Sequence, residues 1–139
     1  AKAKATHLSK KNKNKIIITF DTTILHMRKT IYKCNTKKCC KNTLKSFNNT
    51  SHNLYTGMVF MINSSLIRSS LTKTKIVFKK NKIVDVNKYV ERYFNQISPA
   101  VGCYNVEGKG KTFFKNIEKS YFNVIGVDII NFLKILKSI

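Results

Sequence analysis

The chain has 139 residues, a net charge of +21 and 42% apolar residues, with nine Phe and six Tyr. This composition excludes an intrinsically disordered chain, and the length suits one domain that buries about two-thirds of its unfolded surface. Because no apolar run approaches ~18 residues and no signal-peptide pattern is visible, we expect no membrane segment and a cytoplasmic location.

The high positive charge has two explanations that the sequence leaves open. A basic surface attracts polyanions such as nucleic acid and nucleotides. However, Lys, Asn and Ile are abundant while Pro, Gly and Trp are scarce, which is typical of coding by an AT-rich genome. Coding bias alone could therefore supply much of the charge.

Alternating apolar patterns predict strands and helices in turn. Residues 1–5 resemble the end of a helix, and a basic loop follows at 10–15. Strands are then predicted at 15–20, 54–62, 71–78, 101–106 and 112–117, and helices at 35–47, from Asp85 and from Asp128. Because strands and helices alternate, we predict the α/β class and a single domain over residues 1–139.

Cysteine and histidine do not form a recognisable metal-binding pattern. The cysteines at positions 34, 39, 40 and 103 contain no C-x-x-C pair, and the three histidines are scattered. The spacing therefore does not predict a zinc site.

Asp21 is the only acidic residue before Asp85, and it follows the apolar run at 16–20. One interpretation is a catalytic or metal-binding carboxylate at the end of a strand. The other is a helix cap or a turn residue.

A glycine-rich segment at 102–110 carries the second carboxylate of interest, Glu107. Its three glycines predict a tight turn or a close approach to a ligand. Glu107 either enters a pocket or faces solvent on an ordinary hairpin. The other acids are interpreted as structural, at helix N-termini or on the surface: Asp85, Asp128, Glu91 and Glu118.

Several segments, taken in order, resemble the Maf (septum-formation inhibitor-like) nucleoside triphosphate pyrophosphatases. The matching segments are residues 2–5, Phe20-Asp21-Thr22-Thr23-Ile24, Tyr32-Lys33-Cys34, 51–57, 102–108 and 117–127. In the family the first four read K-A-x-A, G-A-D-T-V-V, G-K-P and S-x-H-x-V-x-T-G. The resemblance implies a mixed central sheet with flanking helices and a cleft between two lobes, often in a homodimer.

The same resemblance implies a house-cleaning hydrolase that converts a nucleoside triphosphate to the monophosphate and pyrophosphate with Mg²⁺ or another divalent metal. Attack by water on phosphorus needs a carboxylate to orient and deprotonate it, and the family position for this role is Asp21. The metal would be held by Asp21 and Glu107. Substrate contacts are implied at Lys2, Lys33, Thr22, Thr56 and Glu107, with Lys4 as an alternative to Lys2.

The preferred base stays open. Asp21-Thr22 is typical of the branch that acts on dTTP and UTP, whereas Glu107 resembles the branch that acts on 7-methyl-GTP. A carboxylate accepts hydrogen bonds from a guanine edge, while the Gln of the first branch offers both a donor and an acceptor.

Departures from the family pattern support an alternative function. The S-x-S-P-R-R segment of the family is absent, Cys34 replaces a Pro, and Ala100 replaces a Lys. We therefore expect an N-terminally truncated Maf-like domain, and the alternative is a catalytically decayed one that binds RNA or the ribosome through its charge. Retention of Asp21 and Lys33 favours the enzyme.

Overall fold

The structure, a computed structural model, describes residues 1–138. In this range the elements follow in the order α1 (Lys2–Lys11), β1 (Ile17–His26), β2 (Lys29–Ile31), α2 (Lys37–Phe47), β3 (Ser51–Ile62), β4 (Ser65–Phe78), α3 (Ile83–Ile97), a 3-10 helix (Lys109–Phe113), β5 (Phe114–Glu118), α4 (Tyr121–Ile125) and α5 (Ile129–Leu136). No helix within residues 1–138 is long and apolar enough to cross a membrane.

The strands form one sheet in the order β2-β1-β3-β4-β5. The predicted α/β class, with a central sheet flanked by helices, is confirmed. Each strand pairing in the described range is antiparallel, so the sheet is not the mixed one that the resemblance implied. Two-residue turns explain this for β1–β2 and β3–β4, because a strand that follows a tight turn runs back beside the strand before it. Both residues of each turn have positive φ, as a tight hairpin requires: Met27 (47°) and Arg28 (63°) in the first, Asn63 (45°) and Ser64 (66°) in the second.

Helices cover both faces of the sheet. On one face, α2 and α3 enclose the main apolar core, which contains Phe47 and Val90. Farther along β3 the side chains alternate between two smaller clusters. Met58 and Phe60 pack with α5, whereas Val59 and Met61 pack with α1.

Two predictions of local structure are wrong. Residues 101–106 form turns and not a strand, because Gly102 and Cys103 both have positive φ (88° and 59°), outside the strand region. The N-terminal helix is not ending at residues 1–5; it begins at Lys2 and continues through Lys11.

Most other predicted elements are found, with shifted ends. The strand predicted at 15–20 continues to His26, which places Asp21 within β1 and not at its end. The strand predicted at 112–117 is preceded by the 3-10 helix and occupies Phe114–Glu118.

The remaining acids have the predicted structural positions. Asp128 caps α5 by accepting a 3.2 Å hydrogen bond from Asn131 N, and Asp85 lies in the first turn of α3. Glu91 and Glu118 form half-exposed ion pairs with lysines.

Candidate active site

A cleft of about 360 Å³ lies between β1, the turns after α3 and the end of α4. Four of the predicted site residues line it: Asp21, Thr22, Lys33 and Glu107. The other lining residues that bear polar side chains are Gln96, Tyr104 and Asn105. The cleft therefore gathers residues that are far apart in the sequence.

Asp21 lies in the middle of β1, opposite Gly57 of β3. Its carboxylate is half-exposed and receives a 2.8 Å hydrogen bond from Lys4 Nζ, while the Ala1 amino group lies 3.3 Å from Oδ2. The hydrogen bond from Lys4 lowers the pKa of Asp21 against the opposing effect of burial. The cap or turn interpretation is wrong, and the carboxylate is ionised at neutral pH.

The lysine beside Asp21 is Lys4 and not Lys2. Residues two positions apart on a helix, such as Lys2 and Lys4, point to nearly opposite sides. The two side chains therefore cannot both face β1. Lys2 is exposed, and neither Lys2 nor Lys4 is among the residues that line the cleft in the described part of the chain, so it is the contact with Asp21 that separates them. The alternative stated from the sequence, Lys4 in place of Lys2, matches the contact at Asp21.

Thr22 and Thr56 form a cross-strand pair with 3.1 Å between their hydroxyl oxygens. Thr56 is buried and donates its hydroxyl proton to the Asn123 carbonyl at 3.3 Å. Because that proton is used, Thr22 donates to Thr56, and the lone pairs on its own hydroxyl oxygen make it an acceptor toward the cleft. Thr56 itself does not line the cleft but orients Thr22.

The segment around Glu107 is a compact turn. Asn105 Oδ1 accepts from Glu107 N at 2.9 Å, and Asn105 N donates to Tyr89 Oη at 3.1 Å. A Cβ on Gly110 would lie 2.5 Å from the Asn105 carbonyl, so this close approach requires glycine. The predicted tight turn is confirmed, the hairpin alternative is wrong, and Glu107 is exposed on the cleft.

Lys33 is exposed at the cleft, in the loop after β2 and separated from that strand by Tyr32. The next residue, Cys34, forms a disulfide with Cys39 in the first turn of α2. The sequence did not predict this bond. Gln96 was missed as well, because a polar residue on an amphipathic helix such as α3 carries no signal that a cleft lies beside it.

A neutral pair of rings lies beneath the cleft. Burial lowers the pKa of His52 to about 3 and raises that of Tyr104. Tyr104 Oη lies 3.1 Å from His52 Nε2, and no partner of Nδ1 is found among residues 1–138. Both groups are therefore uncharged at neutral pH, and Tyr104 lines the cleft whereas His52 is not among its lining residues.

The two carboxylates of the cleft suit a hard divalent cation. Mg²⁺ takes oxygen ligands and is commonly held by one or two carboxylates together with substrate phosphates. Asp21 and Glu107 are both exposed on the cleft and are the acidic residues among its lining. The donor set therefore fits the metal that the sequence resemblance implies.

Comparison with known proteins agrees with the geometry. The family model described as Maf-like protein matches residues 1–139. A dTTP/UTP pyrophosphatase of Clostridium botulinum (strain Okra / Type B1) is 29% identical over 133 residues, covering 93% of this chain and 68% of the relative. A dTTP/UTP pyrophosphatase of Bacillus cereus (strain B4264) is 23% identical over 134 residues, covering 96% and 69%. The chain belongs to the Maf-like protein family.

Proposed function

We propose that this protein is a nucleoside triphosphate pyrophosphatase that uses the cleft around Asp21. The observation that carries the proposal is the presence of Asp21, Thr22, Lys33 and Glu107 on one cleft. The relatives named above are dTTP/UTP pyrophosphatases, and hydrolysis of a nucleoside triphosphate accounts for each of these four residue types.

Asp21 orients the attacking water and takes its proton as the anhydride bond between the α- and β-phosphates breaks. Pyrophosphate leaves and the nucleoside monophosphate stays behind. Lys33 and Lys4 offset the negative charge of the phosphates. A divalent metal, held by Asp21 and Glu107 when bound, would stabilise the same charge.

For the base, we propose a pyrimidine with a free N3–H, as in dTTP and UTP. Thr22 is left as a hydrogen-bond acceptor by its bond to Thr56, and such an acceptor complements an N–H donor. The name of the relatives supports the same choice. The alternative substrate is 7-methyl-GTP, because the carboxylate of Glu107 can accept hydrogen bonds from the N–H groups of a guanine edge.

The other expected properties remain proposals. We propose a homodimer because the family resemblance implies one, and a cytoplasmic location because the sequence shows no signal-peptide pattern. RNA or ribosome binding is the less favoured function, since the same positive charge also attracts a triphosphate.

The test is pyrophosphate release from dTTP, UTP, 7-methyl-GTP and GTP with Mg²⁺, comparing the chain with Asp21→Asn. We expect Asp21→Asn to lower the rate by about 10²–10⁴-fold, the usual contribution of a general base. Asp85→Asn, the same change in α3 outside this cleft, should leave the rate unchanged. Equal activity of Asp21→Asn and the parent chain would contradict the proposed role of Asp21.

A further inference from the structure

The fold brings three of the four cysteines together, although the four come from three separate segments. Cys34 follows β2, Cys39 and Cys40 lie in the first turn of α2, and Cys103 lies in the turn after α3. The sulfur atoms of Cys34, Cys40 and Cys103 are all within 4.8 Å of one another. We call these three residues the thiol cluster.

The thiol cluster is enclosed, whereas Cys39 is not. Cys34, Cys40 and Cys103 expose 2%, 0% and 0% of their surface. Cys39 is exposed and is joined to Cys34 by the disulfide. Solvent can therefore reach the Cys34–Cys39 disulfide at the sulfur of Cys39.

We propose that the thiol cluster binds a thiophilic divalent ion of the Zn²⁺ class, and that the Cys34–Cys39 disulfide closes this site. Thiolate sulfur is the ligand that such ions prefer, and three protein ligands with one open position are sufficient for Zn²⁺. The spacing of the cysteines in the sequence gave no sign of the site, because the fold and not a local motif brings the ligands together.

The burial of the thiol cluster agrees with a metal as the partner of these sulfurs. A thiolate enclosed in the fold needs a positive charge beside it, and a bound divalent ion supplies that charge.

Opening the site requires a dithiol reductant. One thiolate of the reductant attacks Cys39 Sγ, which breaks the S–S bond, forms a mixed disulfide on Cys39 and releases Cys34 as a thiolate that takes up a proton. The second thiol of the reductant then frees Cys39 and leaves the reductant oxidised to its own disulfide. Binding of the ion by Cys34, Cys40 and Cys103 releases three protons.

The site would influence the cleft through its sequence neighbours. Cys34 directly follows Lys33, and Cys103 directly precedes Tyr104, and both neighbours line the cleft. The metal-binding proposal does not depend on the proposed hydrolysis, because its test measures the ion and not the reaction.

The test is titration of the full chain with Co²⁺, a coloured substitute for Zn²⁺, followed by the sulfur-to-cobalt charge-transfer absorbance. The protein is compared as purified and after treatment with a dithiol that is removed before titration. We expect absorbance at one ion per chain only after reduction, and loss of the absorbance when Zn²⁺ is added as a competitor.

Three variants identify the ligands. Cys39→Ser should bind Co²⁺ without prior reduction, because Cys34 then has no disulfide partner. Cys40→Ser and Cys103→Ser should each lose the absorbance, and circular dichroism establishes which of them is folded. The absence of absorbance in reduced, folded protein would overturn the proposal, as would full absorbance in a folded Cys40→Ser or Cys103→Ser variant.

Discussion

The cleft and the main apolar core are adjacent, yet they have opposite effects on the charge of an ionisable side chain: one keeps it charged and the other keeps it neutral. Asp21 on β1 is half-exposed and is held charged by Lys4. His52 on β3 is buried, and its pKa is lowered to about 3, so it is neutral. A shifted pKa therefore indicates function only together with access to a ligand, and His52 is a structural residue despite its chemistry.

The largest expected effect lies in the core. Phe47 is fully buried, and its ring centroid lies 4.5 Å from that of His52 and 5.3 Å from that of Phe78. Phe47→Ala should lower the free energy of unfolding by about 3–5 kcal/mol, because it leaves a cavity. Chemical denaturation measures this loss.

The control for Phe47 is an exposed aromatic residue near the cleft. Tyr32 is 77% exposed, so Tyr32→Ala should change the free energy of unfolding by less than about 0.5 kcal/mol. Similar losses in the free energy of unfolding for the two variants would show that the buried rings around Phe47 are not the main source of stability.

The next effect is a dependence of stability on pH that comes from His52. Its pKa is 6.5 in the unfolded chain and about 3 when folded, so between these values the unfolded state binds more protons. The free energy of unfolding should therefore fall as the pH falls through this window, by up to about 1.4 kcal/mol per pH unit. Urea denaturation at a series of pH values measures the slope.

His52→Gln should remove most of this slope whatever it does to the absolute stability. His7 is exposed on α1 and serves as the matched control, since His7→Gln should keep the slope of the parent chain. A slope that persists in His52→Gln would assign the acid sensitivity to another group.

A smaller loss is expected at Asp128, which is buried although it lies at a helix end. Its carboxylate accepts hydrogen bonds from Thr72 Oγ1, from Asn131 N and from Asn131 Nδ2 at 2.7 Å. Asp128→Ala should cost about 1–3 kcal/mol, because it removes the cap of α5 and leaves the partly buried partners Thr72 and Asn131 without this acceptor. Thermal unfolding measures the loss, and Asp85→Ala in the first turn of α3 should cost clearly less.

The smallest expected effect concerns the charge state of Asp21. Lys4→Ala should raise the pKa of Asp21, because Lys4 donates the hydrogen bond that lowers it. Carboxyl NMR titration measures the change, while stability should hardly alter, as is usual for exposed ion pairs. Lys2→Ala is the control, and an equal shift in both variants would mean that general charge, and not this contact, sets the pKa.

The parts of the fold that were predicted from the sequence are those with strong local periodicity. The apolar spacing of α2 and α5 and the run of β3 are visible in their own residues. The continuation of β1 beyond Phe20 was missed, because it depends on pairing with β3 across the whole strand. Residues 101–106 were mistaken for a strand, because the positive φ angles of Gly102 and Cys103 leave no trace in the hydrophobicity pattern.

The candidate site likewise divides into residues that the sequence identified and features that depend on how distant segments pack. Asp21, Thr22, Lys33 and Glu107 were chosen by their motif positions, and all four line the cleft. The lysine at Asp21 depends on the side of α1 that faces β1, which the motif alone did not decide. Likewise, the thiol cluster exists only after the turn at Cys103 packs against α2, so no spacing rule reveals it.

The tight Asn63-Ser64 turn also bears on the order in which the chain folds. It joins β3 to β4 directly, whereas Thr22 of β1 and its partner Thr56 are separated by 34 residues, and Lys75 of β4 and its partner Glu118 by 43. Closing longer loops costs more entropy, so the β3–β4 hairpin should form before β1 and β5 pair with it. The cleft needs β1 and the segment after α3, and a partly folded chain should therefore be unable to hold a nucleotide.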